Sequence, residues 1–150
     1  MTEIRLRDVR KNDLEALHRL DQACFEPGIA YTEGQLDYFL SRPNASGVVA
    51  EVDGALAGFA IAHRSGPQGH LVTIDVASGH RRGGVGRALM REIVRRLEEG
   101  GARRIRLEVD LRNAAAIRFY QRHGFEKGRR LRGYYGDGRD GLEMVRELEG

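Results

Sequence analysis

Residues 71–90 read LVTIDVASGHRRGGVGRALM: a strand-like run rich in β-branched residues, three glycines in four positions, and the apolar start of a helix. Past the glycines, Val85, Leu89, Ile93 and Leu97 step by four along one face, with Arg87, Arg91 and Arg95 on another. That spacing predicts an amphipathic helix. The next run, Arg104 to Asp110, reads RIRLEVD and alternates as a half-buried strand should. Strand, helix and strand in succession call for a right-handed crossover between two parallel strands.

Outward from this unit the signals change. Upstream, SGVVAEVDGALAGFAIAHR reads as two strands, Val48 to Val52 and Leu56 to His63, joined by a tight Asp53-Gly54 turn. RSGPQG then reads as a loop. EIRLRDVR near the start is a further strand, and Asn12 or Asp13 can cap a helix, DLEALHRLDQACF, with Leu14, Leu17, His18, Leu20 and Cys24 near one face. Pro27 and Gly28 break it, Thr32 caps a second helix, TEGQLDYFL, and Pro43 ends that one. Downstream, Asn113 to His123 forms a helix stopped by Gly124, and two strand-like pieces flank YYGDGRDG. The order β, α, α, β, β, β, α, β, α, β, β gives hairpins on both sides of one parallel crossover. The expected fold class is α/β with a mixed, mostly antiparallel sheet.

The 150 residues, 41% hydrophobic and 31% charged, suffice for one domain with a core and are too few for two. A single domain over residues 1–150 is expected. No apolar run approaches the roughly 18 residues that span a bilayer. MTEIRLRDVR carries charges where a signal peptide has its apolar segment, so a cytoplasmic location is expected. The one cysteine, Cys24, reads as a small buried helix residue. Net charge is +3, and the basic residues are almost all arginine, with lysine only at Lys11 and Lys127. Arginine suits bidentate contact with phosphate or carboxylate, and the small excess fits a local anion site better than a nucleic-acid stripe. The histidines show no metal-site spacing.

Three glycines at a helix start need a reason, because each costs about 1 kcal/mol relative to alanine inside a helix. One reason is a tight turn with positive φ and close packing of helix on sheet. The other is a turn whose backbone N–H groups point at a phosphate, with Arg81, Arg82 and Arg87 adding charge. A P-loop requires lysine and Ser or Thr after its last glycine, and Gly86 is followed by Arg87 and Ala88. A dinucleotide site has Gly84, Gly86 and an acid, Glu108, about 20 residues on, but position 89 is leucine where the third glycine belongs. The residues alone therefore indicate an anion cradle, with a dinucleotide still among the ligands it could take.

Arg81-x-x-Gly84-x-Gly86 after LVTIDVA, NAAAIRFYQRHGF at 113–125, and YYGDGRDGLEM at 134–144 together resemble the GNAT superfamily of acyl-CoA-dependent N-acyltransferases. The resemblance is to its RimI-like branch, the ribosomal-protein alanine and other protein N-terminal acetyltransferases. It implies the GNAT sheet, with two central strands splayed apart to admit the pantetheine arm and about four flanking helices. It implies acetyl-CoA as cosubstrate, bound by the backbone of Ile74, Asp75 and Val76, by the pyrophosphate cradle Arg81, Arg82, Gly83, Gly84, Val85, Gly86, Arg87 and Ala88, and by Asn113. It implies Glu108 as general base and Tyr120 as general acid, and a groove for a peptide N-terminus bordered by Tyr134 and Tyr135, with Tyr31 on its other wall. The implied partners are acetyl-CoA and a peptide or protein N-terminus, such as that of a ribosomal protein, or a small amine. No nucleic acid, membrane or metal enters, and the expected assembly is a monomer or homodimer.

Acetyl transfer to an amine needs a neutral nitrogen, stabilisation of an oxyanion, for which a backbone N–H near Val76 is the candidate, and a proton for the departing thiolate. Glu108 alternates out of phase with Ile105, Leu107 and Val109, and a glutamate of ordinary pKa is a weak base, so burial or a bridging water is expected. If Asp75 shares one cleft with Glu108, their repulsion would raise a pKa and help make a base. Between the first two helices, FEPGIAYTEG holds Glu26 and Ile29, where RimI-like sequences can read Pro-Trp-Ser. An acid there would suit a basic acceptor, but a surface charge is the commoner reason for one and is the expectation for Glu26. Transfer to a small-molecule amine or a lysine side chain, and a CoA- or nucleotide-binding module without catalysis, are the competing readings.

Overall fold

In the computed structural model, which describes residues 3–148, seven strands form one sheet in the order β1-β2-β3-β4-β5-β7-β6. The strands are β1 Ile4–Asp8, β2 Ala45–Val52, β3 Ala55–Ser65, β4 Gln68–Val76, β5 Arg104–Asp110, β6 Glu126–Leu131 and β7 Gly141–Glu147. Four helices, α1 Leu14–Cys24, α2 Glu33–Ser41, α3 Val85–Glu99 and α4 Ala114–Arg122, connect them. All pairings are antiparallel except β4 with β5. The expected element order and the single parallel crossover are both present.

The segment 64–69 differs from the loop expected of it. It continues β3 and β4 to a tight turn, with Ser65 paired to Gln68 and Gly66 at φ 57. Its residues read as a loop because the hairpin tip extends beyond the core, where 65–68 are exposed and polar side chains are the rule. The other hairpin turn, Asp53 at φ 53 and Gly54 at φ 78, takes the left-handed pair that an Asp-Gly turn favours.

Two cores lie on the two faces of the sheet. Leu17 and Leu36 bring α1 and α2 against Val49, Phe59 and Ile61. On the other face Val85, Leu89, Ile93 and Leu97 of α3 are all buried, as the four-residue step predicts, and Met90 and Val94 widen the stripe. Strand β3 sorts its residues by size. Ala57, Ala60 and Ala62 join the α3 core while Phe59 and Ile61 fill the α1–α2 side. A Cβ on Gly58 would lie 2.6 Å from the Asp75 carbonyl oxygen, 3.0 Å from Val85 and 3.1 Å from Leu89, so only glycine lets α3 sit this low over β3 and β4.

Helix α1 departs from its expected face at one position. Leu17 is buried, but the other fully buried residue is Asp21, a charged type, while His18 is only part-buried.

The sheet opens at its parallel pair. β4 and β5 pair only from Gln68–His70 against Arg104–Arg106, whereas β5 pairs with β7 along its whole length, to Asp110 against Gly141. Beyond His70 and Arg106 the two strands part, and α4 follows β5 beside the gap.

Candidate active site

A cavity of about 1000 Å³ occupies the gap, walled by residues 72–76 of β4 and 108–110 of β5. The α1–α2 junction, the start of α3, and α4 complete the walls. Of the residues expected at a site, Ile74, Asp75, Val76, Arg81, Arg82, Gly84, Gly86, Arg87, Glu108, Asn113, Tyr120, Tyr31 and Tyr135 all face it. Val85 instead turns its side chain into the core. Tyr134 is 51% exposed, stacks edge-on to Tyr135 with centroids 4.8 Å apart, and packs over Gly141.

One end of the cavity is basic. Gly84 precedes α3 at φ 86, a left-handed turn that glycine adopts without strain, and Arg82 takes φ 69 beside it. A Cβ on Gly86 would come within 3.2 Å of the Phe119 ring, so the first turn of α3 lies directly on α4. The two reasons for the glycines therefore act together: positive φ and close packing bring the open helix N-terminus, with its unpaired N–H groups, to the cavity. Arg81, Arg82, Arg87 and Arg122 surround this end. His123, stacked on Phe119, has its pKa lowered by burial and by the neighbouring arginines. Asn113 caps α4, its Oδ1 accepting from Ala116 N–H at 3.1 Å, which leaves the side-chain amide hydrogens as its remaining donors.

Toward the other end stands Glu108. His70, on β4, meets its Oε1 at 2.7 Å, and the Arg106 guanidinium pairs with its other oxygen. Burial acts to raise the Glu108 pKa, but the hydrogen bond from His70 and the charge of Arg106 outweigh it, and the carboxyl is held below its ordinary value. Glu108 is thus a partly buried, ionised carboxylate. Asp75 shares the cavity but not the role expected for it. Its pKa is raised by its own burial and by contact with Asp21; repulsion from Glu108 is not the cause.

Three tyrosines ring the same space. Burial pushes the Tyr120 hydroxyl well above its ordinary pKa, with the Asp75 charge adding to it, so it is a protonated donor at neutral pH. Tyr31 and Tyr135 are raised by burial as well. The Tyr31 hydroxyl reaches the Val72 carbonyl at 3.5 Å, and the Cys24 thiol, raised in pKa by its burial, reaches that of Val76 at 3.5 Å.

Glu26 is engaged by Arg139 and lies 3.9 Å from Arg112. It therefore clasps the α1–α2 junction to the β6–β7 loop and is not a free acid awaiting a basic acceptor. His70, Asp21, Arg112, Arg122 and Arg139 went unmarked in the sequence, since nothing in their spacing relates them to Glu108, Asp75 or Glu26. Among the described residues no three His, Cys, Asp or Glu side chains group as a metal site, and no helix is long and apolar enough to cross a membrane.

An N-alpha-acetyltransferase from Sulfurisphaera tokodaii is 30% identical over 163 residues, covering 97% of this chain and 94% of the relative. The crystal structure of Ard1 from Thermoplasma volcanium superposes with a TM-score of 0.91 at 28% identity, covering 98% and 99% of the two chains. That of the ribosomal-protein-S18-alanine N-acetyltransferase from Escherichia coli superposes with a TM-score of 0.89 at 25% identity, covering 99% and 96%. Residues 14–125 match the family described as Acetyltransferase (GNAT). The chain belongs to that family and is an N-acetyltransferase of the RimI-like kind.

Proposed function

We propose that this chain transfers the acetyl group of acetyl-CoA to a protein N-terminal α-amine, with Glu108 receiving the amine proton and Tyr120 supplying the proton that the leaving thiolate takes. The observation that carries the reading is that Glu108 of β5 and Tyr120 of α4 line one cavity in the split between β4 and β5.

Bound acetyl-CoA supplies an activated acetyl thioester. Its diphosphate fits the N-terminus of α3, where Gly84 and Gly86 withhold side chains and Arg81, Arg82 and Arg87 bring charge. The backbone of Ile74, Asp75 and Val76 borders the gap past the end of the β4–β5 pairing and is the candidate partner of the pantetheine amides, and a backbone N–H near Val76 is the candidate donor to the acetyl carbonyl.

The low pKa of Glu108 favours an α-amine over lysine. At pH 7 roughly one α-amine in ten is neutral, given a pKa near 7.7–8.0, against fewer than about one lysine in a thousand at 10.4. An ionised Glu108 attracts the ammonium and takes its proton directly or through water, which suffices for a weakly basic nitrogen. Tyr31 and Tyr135 then line the acceptor side.

The test is turnover of acetyl-CoA against short peptides differing in their first residues, with polyamines and aminoglycosides alongside. Acetylation confined to peptides with a free α-amine supports the reading. Acetylation of small amines or lysine side chains only would replace the acceptor, and tight coenzyme A binding without turnover on any acceptor would replace the enzyme by a binding module.

A further inference from the structure

Two carboxyl groups outside this mechanism lie together at the cavity wall that Asp75 lines. Asp21 on α1 is 0% exposed and Asp75 on β4 is 1% exposed. One oxygen of each has a donor: Asp21 Oδ2 accepts from the Tyr31 backbone N–H at 2.7 Å, and Asp75 Oδ1 accepts from the Thr73 hydroxyl at 2.6 Å. The remaining oxygens, Asp21 Oδ1 and Asp75 Oδ2, are buried without any N–H or O–H to accept from. α1 packs on β4 here, the Cys24 thiol reaching the Val76 carbonyl, and the Asp21 carboxyl lies against that of Asp75. Two ionised carboxylates in contact, shielded from water, repel strongly, whereas a single proton between them turns the contact into a strong hydrogen bond.

The groups nearby are the Cys24 thiol of α1, the Tyr31 hydroxyl of the junction and the Tyr120 hydroxyl of α4, each acted on by the Asp75 charge. Arg81 approaches Cys24, but no cation figures among the groups acting on Asp75.

We propose that Asp21 and Asp75 share one proton, held between Asp21 Oδ1 and Asp75 Oδ2, and act as a positioning pair that ties the acceptor wall to the strand along the cofactor gap. Asp21 fixes Tyr31 through its backbone N–H, Gln22 Nε2 donates to the Tyr31 carbonyl at 2.9 Å, and the Tyr31 hydroxyl touches Val72 of β4. The shared proton is the link that keeps α1 against β4 while Tyr31 is held. Loss of that proton leaves two facing charges, parts α1 from β4 and frees Tyr31.

The pH dependence has a definite sign. Burial, then contact with Asp21, raise the folded-state pKa of Asp75 against the opposing hydrogen bond from Thr73. As pH rises past about 4, the unfolded chain loses this proton first. The folded chain then binds more protons, so the residue's contribution to stability falls until the raised pKa is reached and is level above it. In Asp75→Asn the new amide accepts from Thr73 and donates to Asp21 Oδ1, replacing the proton permanently. In Asp21→Asn it accepts from Tyr31 N–H and donates to Asp75 Oδ2.

Three measurements decide the matter. Infrared spectra at neutral pH are expected to show the carbonyl stretch of one buried carboxylic acid in the wild type, absent from Asp75→Asn and from Asp21→Asn. Melting temperatures without ligand, taken between about pH 5 and 9, are expected to favour Asp75→Asn increasingly over wild type as pH rises. The wild-type acceptor KM, divided by that of either variant, is expected to rise several-fold into the alkaline range while the same ratio for acetyl-CoA stays level. Absence of the infrared band, or melting curves that run parallel with pH, overturns the shared proton. A flat acceptor KM ratio overturns the positioning role. If Asp75→Asn does not fold, Asp21→Asn and the wild-type spectrum still decide. The positioning role rests on the proposed activity, but the spectral and melting arms use no substrate, so failure of that activity is seen separately from failure of the pair.

Discussion

At Glu108 the structure joins a common residue type to an uncommon setting. The carboxylate is ionised because His70 and Arg106 hold it, so in the proposed reaction it attracts an ammonium and relieves it of a proton. Glu108→Gln keeps the volume and removes the acceptor of the proton; kcat on an α-amine peptide is expected to fall about 100-fold, with the acetyl-CoA KM little changed. Because Glu108 is already charged across the neutral range, kcat/KM is expected to rise with pH through the ionisation of the amine itself, a limb that a pH–rate profile should show in both proteins. Tyr120→Phe removes the donor to the thiolate and is expected to lower kcat by a similar factor in a steady-state assay, leaving coenzyme A affinity in place. That Glu108 and Tyr120 line one cavity was legible through the motifs around them. The state of Glu108 was not, because His70 lies 38 residues earlier and meets it only through the parallel register of His70 beside Arg106. Asp21 was hidden for a related reason: helical periodicity sorts apolar from polar residues, and a buried acid looks like a surface one until its partner on another strand is known.

Among the elements, alternation and four-residue steps located nearly every strand and helix, since each buries one face and the sequence must mark it. They failed at the tip of the β3–β4 hairpin, where residues 65–68 outrun the core and are all exposed. The glycines show the same division. Those at the start of α3 are visible as a cluster, while Gly58 is a single glycine in a strand whose need appears only when α3 is laid across it. Gly58→Ala sets a methyl group into the Asp75 carbonyl, and its neighbours are backbone and packed helix, so a loss of about 1–3 kcal/mol is expected. Thermal denaturation checks this, at roughly 2–4 °C per kcal/mol for a chain of this size. Gly84→Ala meets only Ile4 at 3.8 Å, yet forces a left-handed alanine at about 1–2 kcal/mol. The first variant is expected to suffer in packing, the second in backbone conformation, and only the second alters the turn at the basic end of the cavity.

Across the whole molecule, the site is a property of topology. The walls come from both ends of the chain: α1 and the junction after it, β4 with the α3 start, β5 with α4, and the β6–β7 loop that Arg139 fastens to Glu26 across 113 residues of sequence. A ligand filling this space should brace all of them. At about 100 times its Kd, acetyl-CoA is expected to add about 2.7 kcal/mol, read as a rise of roughly 5–10 °C in Tm by scanning fluorimetry; no rise at saturating ligand would count against the proposed cosubstrate. The short pairing of β4 with β5 carries a further consequence. A sheet normally confines its unsatisfied peptide groups to its two outer margins, where charge, proline or brevity discourage other chains from docking there. Here a second pair of margins is set inside the sheet, facing each other across a gap and sheltered from foreign strands by the helices above and below. The same amides that would be a hazard at the rim become a template in the interior, open to something as narrow as a single extended chain and closed to anything that brings a sheet of its own.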